Sequence, residues 1–88
     1  MSFQVRIAGP ARSYLDRLDP GTQDRFDRKF EELSEDPFDP RHSKPLAGPG
    51  SLRVARVGLW RIVFSVARGA NAVVINDIAP RGQVYRRL

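Results

Sequence analysis

The sequence predicts an α+β domain with the order β-α-α-β-β-β, a small antiparallel sheet covered on one face by a two-helix hairpin. Three observations lead there. The chain opens on a strict alternation of apolar and polar residues, two apolar stripes at helical spacing follow, and three β-rich runs separated by turn residues come last. Eighty-eight residues make one domain, 1–88. A chain of this size buries only about 60–65% of its unfolded surface, so its core must be small.

Phe3-Gln4-Val5-Arg6-Ile7 alternates as a half-buried strand does. Gly9-Pro10 breaks it, and Pro10 suits the first turn of a helix whose apolar stripe is Tyr14, Leu15 and Leu18. Asp19-Pro20 reads as a stop followed by a new start, with Asp19 as N-cap and Pro20 in the first helical position. The second helix carries Phe26, Phe30 and Leu33 at i, i+4 and i+7, and Ser34-Glu35-Asp36-Pro37 ends it. Two short helices joined this tightly should lie antiparallel. Six prolines and glycines in 37–50 leave no room for regular structure there.

Strands are expected over Leu52–Val57, 59–66 and 72–78, with Gly58 as a tight turn and 68–71 as the second hairpin turn. In the middle strand Trp60, Ile62, Phe64 and Val66 share a face and supply the surface the helices need. With Tyr14, Leu18, Phe26, Phe30 and Leu33, residues 60, 62 and 64 form the expected core. Parity puts Arg61, Val63 and Ser65 on the other face. A mid-strand arginine cannot be buried without a partner, so Arg61 is expected on the open side of the sheet.

Composition removes several classes of function. Without cysteine there are no disulfides, thiolate nucleophiles or Cys-ligated zinc. A single histidine, His42, leaves little for a metal site, and neither metal nor cofactor is expected. No apolar run approaches the roughly 18 residues of a membrane span, and the N-terminus lacks a signal peptide's apolar stretch, so a cytoplasmic protein without membrane contact is expected.

The charge is lopsided. Residues 1–39 carry six bases and nine acids, net −3; residues 40–88 carry nine bases and one acid, net +8. Thirteen of the fifteen bases are arginine, whose planar fork grips phosphate or carboxylate in two places. Such a basic half points to a polyanion or an acidic protein partner. Arg53, Arg56 and Arg61 fall on two strands joined through Gly58. Arg81, Arg86 and Arg87 follow the next strand, with Tyr85 among them. Adjacent strands lie about 4.8 Å apart, so these groups can converge on one surface, although Arg53 and Arg56, three apart, point to opposite faces of a regular strand. An arginine cluster around a phenol suits single-stranded RNA, with guanidinium groups on phosphates and the ring stacking a base or handling a proton. The plain alternative is a solvated sheet face, but crowded like charges cost stability unless an anion compensates them.

The string Leu52-Arg53-Val54-Ala55-Arg56-Val57-Gly58-Leu59-Trp60-Arg61-Ile62-Val63-Phe64 resembles the RelE/ParE toxin family, whose pattern here is close to R-V-G-D-Y-R-I-I-Y. The ending Ile78-Ala79-Pro80-Arg81-Gly82-Gln83-Val84-Tyr85-Arg86 resembles the family's closing pattern, an arginine followed four residues on by Tyr and Arg, and Lys44-Pro45-Leu46-Ala47-Gly48 also fits. The resemblance implies a RelE-like fold and the toxin half of a type II toxin–antitoxin pair. Its partners would be a cognate antitoxin, the ribosome and mRNA, with DNA reached only indirectly through the toxin–antitoxin complex. RelE-like members cut mRNA in the ribosomal A site without metal, the ribose 2′-OH attacking the adjacent phosphate.

By position, the resemblance makes Arg61 the phosphate clamp, Arg81 its assistant and Tyr85 a base or stacking platform. Arg53, Arg56, Lys44 and Arg86 would bind RNA. This set contains no evident proton donor; His42 would supply one only if the proline-rich loop folds over the sheet. Two other readings use the same fold or patch: a ParE-like poison of DNA gyrase without nuclease activity, and a non-catalytic RNA-binding module.

Overall fold

The computed structural model describes residues 2–46 and 52–80. The opening alternation forms β1 (Gln4–Ile7), exposing Gln4 and Arg6 while Phe3, Val5 and Ile7 pack on the core. Helix α1 (Gly9–Asp16) starts with proline in its first turn and buries Ala11 and Leu15. Asp19 caps α2 (Pro20–Glu35) as expected: its carboxylate accepts from the Thr22 amide at 3.1 Å and the Thr22 hydroxyl at 2.7 Å. The Gln23 side-chain amide donates to the Leu15 and Leu18 carbonyls at 2.8 and 2.9 Å, tying the end of the first helix to the start of the second.

The sheet has five strands in the order β1-β5-β4-β3-β2. Its center is the expected meander: β3 (Leu52–Val57), β4 (Trp60–Ala67) and β5 (Ala72–Pro80), all antiparallel. Gly58 makes the first turn at φ 56°, the left-handed region that two-residue hairpins require. The Arg25 guanidinium lies where a side chain at Gly58 would begin, 2.5 Å from an ideal Cβ, so the turn tolerates no larger residue without displacing it. A 3-10 turn (Arg68–Ala70) leads to Asn71, left-handed at φ 52°.

Two features correct the expected topology. First, β1 joins the sheet parallel to β5, with Val5 opposite Val73 and Ile7 opposite Ile75, so the sheet is mostly rather than wholly antiparallel. The helices carry the chain across the sheet before it returns, and such a crossover permits parallel pairing. Second, the proline-rich loop contains a two-residue strand, β2 (Lys44–Pro45), paired with Val54 and Arg53. Pro45 fits because β2 is an edge, where a missing N–H breaks no ladder.

One face of the sheet takes the helices. Phe26 and Leu33 from α2 are fully buried with Ile62, Phe64, Val73 and Ile75, while Tyr14, Leu18 and Trp60 of the expected core are partly buried at its margin. The Trp60 indole N–H donates to the Tyr14 hydroxyl at 3.0 Å, satisfying a polar atom that packing would otherwise strand. The opposite face is not bare: Val63 and Ala79 form a second buried cluster under Leu46 and Leu52. Among the described residues no helix is long and apolar enough to cross a membrane.

Candidate active site

Strand register decides which bases meet. Ala55 pairs with Ile62 and Val57 with Trp60 on the helix face, which leaves Val54, Arg56, Arg61 and Val63 on the other. Arg56 and Arg61 are directly opposite each other, and Arg61 faces Ala79 on its far side. Arg56 is exposed. Arg61 is not: only 8% of it reaches solvent, and its Nη1 is buried without a hydrogen-bond partner. Parity therefore placed Arg61 on the correct face but misjudged its surroundings. The expected open side carries a second buried cluster under Leu46 and Leu52, and the segment that runs into β2 shares a cavity with Arg61.

Arg61 lines a cavity of about 300 Å³, open to solvent, at the β3 edge. Its other basic walls are Lys29 from α2, Arg41 and His42 from the incoming segment, Lys44 from β2 and Arg56 from β3. Two of these cations are already matched. Lys29 Nζ sits 2.8 Å from Glu32 Oε1, and Arg41 Nη2 sits 2.7 Å from Asp39 Oδ2. The hydrogen bond from Lys29 lowers the Glu32 pKa from its ordinary value, and that from Arg41 holds Asp39 down at about 2. The side chains of Lys44, Arg56 and Arg61 have no ion pair or hydrogen bond with any described residue. Three unmatched cations, one of them desolvated, surround a space that an anion would fill.

Arg53 does not join them: as its three-residue spacing from Arg56 implied, it points to the other face, so of the three arginines only Arg56 and Arg61 converge. It lies on the helix face, opposite Phe64, and its Nε donates to the Pro37 carbonyl at 3.1 Å and the Ser43 hydroxyl at 2.9 Å. Its guanidinium also lies over the Phe38 ring, 5.4 Å from the centroid, and the Arg68 guanidinium is 4.5 Å from the same centroid. Arg53 thus fastens residues 37–43 to the sheet. The loop does fold back onto the sheet, and it brings His42 into the cavity wall.

Arg81, Tyr85 and Arg86 lie outside the described residues. Lys29 and Arg41 were not singled out in the sequence. Lys29 carried a legible signal, since it sits three residues after Phe26 and four before Leu33, within the buried stripe of α2. Arg41 carried none, because its place depends on the path of an irregular loop. Among the described residues no three or more His, Asp and Glu side chains are grouped to hold a metal ion. Chemically, the cavity can grip an anion and offers an imidazole beside it.

Residues 5–85 match the family model of the ParE toxin of the type II toxin–antitoxin system, parDE. The comparison with curated protein sequences gives no match. Among solved structures the chain is similar to one in the archaeal RelE–RelB complex from Pyrococcus horikoshii, with a TM-score of 0.80 and 26% identity over 94% of this chain and 99% of that one. It is also similar to one in the Mycobacterium tuberculosis toxin–antitoxin complex RelBE2, with a TM-score of 0.79 and 28% identity over 92% of this chain and 100% of that one. The isolated E. coli RelE toxin shares the fold at 17% identity, with a TM-score of 0.79 over 98% of this chain and 94% of that one. With the family model spanning residues 5–85 and the overall fold similar to that of the RelE structures, the protein belongs to the RelE/ParE family and is a toxin of a type II toxin–antitoxin system.

Proposed function

We propose that this toxin is a metal-independent endoribonuclease that cuts mRNA on the translating ribosome. The observation that carries the reading is the buried, unpartnered Nη1 of Arg61 beside a cavity lined by cationic side chains. A desolvated guanidinium with an unmade hydrogen bond is costly in the free protein and becomes favourable when a phosphate accepts from it. In the reaction, the ribose 2′-oxygen attacks the adjacent phosphorus and the bond to the 5′-oxygen breaks, leaving a 2′,3′-cyclic phosphate. The crowded phosphorane gains negative charge, which Arg61 stabilises at the position where that charge develops. Arg56 and Lys44 hold the flanking backbone. Arg81 assists Arg61, Tyr85 takes the 2′ proton or stacks a base, and Arg86 adds affinity for RNA.

The P. horikoshii and M. tuberculosis relatives were crystallised as toxin–antitoxin complexes. By the same logic, an acidic antitoxin segment would cover the unmatched cations here, with affinity that falls as salt rises. Primer extension on mRNA recovered from translating ribosomes tests the function: new 5′ ends should arise within codons, and an Arg61→Ala toxin should produce none. The match to the ParE family model favours a second reading, binding to DNA gyrase without RNA cleavage. Intact message together with gyrase-dependent DNA breaks would decide for it.

A further inference from the structure

The cleavage just described needs a proton for the departing 5′-oxygen, and the arginines cannot provide one because they do not deprotonate in proteins. We propose that His42 is the general acid, an imidazolium on the cavity wall that protonates the 5′-oxygen while Arg61 holds the phosphate. This assignment rests on the nuclease reading above. In the balanced step the O2′–P bond forms and the P–O5′ bond breaks. The 2′ proton leaves to Tyr85 or water, and the His42 proton ends on the 5′-hydroxyl.

Three features of the structure support the assignment. First, His42 lines the same cavity as Arg61 and Arg56, with 23% of its side chain exposed, so it is partly shielded yet reachable. Second, it stands on a fixed segment. Its amide donates to the Asp39 carbonyl at 2.9 Å, the Ser43 hydroxyl donates to the Pro37 carbonyl at 2.6 Å, and Arg53 holds both Pro37 and Ser43 from the helix face. Preorganisation of this kind is what lets a proton donor act at a set distance from its target. Third, a carboxylate faces each ring nitrogen: Glu32 Oε1 is 3.6 Å from Nδ1 and Asp39 Oδ2 is 3.9 Å from Nε2. Both separations exceed a hydrogen bond, so the carboxylates complement a charged ring without capturing its protons. The charged groups nearest the ring are Glu32 from α2 and Asp39 from its own segment, and Lys29, Arg41, Lys44, Arg56 and Arg61 share the cavity with it. Histidine is the side chain suited to giving up a proton near neutral pH.

The test measures mRNA cutting on programmed ribosomes by wild type, His42→Ala and His42→Gln, with circular dichroism confirming that all three are folded. Two messages are used, one natural and one with sulfur replacing the 5′-oxygen at the cut linkage. A thiolate departs without protonation. The variants should therefore cut the natural message about 10²–10⁴-fold more slowly and the sulfur message at close to the wild-type rate. Equal losses on both messages, or no loss on either, would overturn the assignment while leaving the nuclease reading in place. If wild type cuts neither message, the nuclease reading fails and the assignment goes with it.

Discussion

Replacing Arg61 with Met should stabilise the protein while abolishing its toxicity. Methionine keeps most of the apolar stem of a residue that is 8% exposed but removes the guanidinium, whose buried Nη1 has no partner. Leaving a buried donor unsatisfied costs about 1–3 kcal/mol, and the directly opposed Arg56 adds about 0.2–1 kcal/mol of cross-strand repulsion. Against this stands some lost packing of the stem, so the net gain should be about 1–3 kcal/mol. For a domain of this size each kcal/mol raises Tm by about 4–8 °C. Urea unfolding followed by circular dichroism reads the difference, with an unchanged m-value certifying that the denatured state is the same. Added inorganic phosphate should stabilise wild type more than the variant, because the variant has lost the group the anion pairs with. A Met variant less stable than wild type by about 1 kcal/mol or more would show that Arg61 is structural, and the reasoning from its unmade bond would be refuted.

Phe64→Ala empties a fully buried position between the helices and β5 and should cost about 3–5 kcal/mol, a large share of the ~5–15 kcal/mol such a domain has; a loss under 1 kcal/mol in the same urea assay would mean the core had been misassigned. Acid should weaken the fold through two carboxylates. Thr22 lowers the Asp19 pKa and Arg41 holds Asp39 at about 2, against an ordinary 3.8. A folded pKa below the unfolded one gives stability that is complete above 3.8 and is lost as pH falls toward about 2. The urea midpoint should decline across that window, and Asp39→Asn should remove part of the decline; a flat midpoint in wild type would contradict the pairing.

Much of the fold was legible because its signals are local. The stripe Phe26, Phe30, Leu33 marks a helix whatever surrounds it, Asp19-Pro20 carries its own cap, and Gly58 sits where a hairpin needs a positive φ. Alternation in β4 sorted Ile62 and Phe64 from Arg61 and Val63 correctly. Spacing also implied that Arg53 and Arg56 part company, and they do. The site was less legible. Periodicity identifies a face but not what lies over it, so Arg61 was expected in solvent and is enclosed. A loop of prolines and glycines has no period, so β2 and the arrival of His42 left no trace in the pattern.

The amino-acid order by itself therefore determined the two helices, the four longer strands, their faces, the turns and the concentration of bases in residues 40–88, because backbone preference and side-chain alternation act between near neighbours. The tertiary structure alone decided that β1 lies beside β5, that Arg53 is spent on Pro37, Phe38 and Ser43, and that Arg61 loses its water with Nη1 unpaired. Each of those outcomes depends on which distant segments come to rest against one another. Burial and pairing are properties of that meeting, and no single stretch of chain contains them.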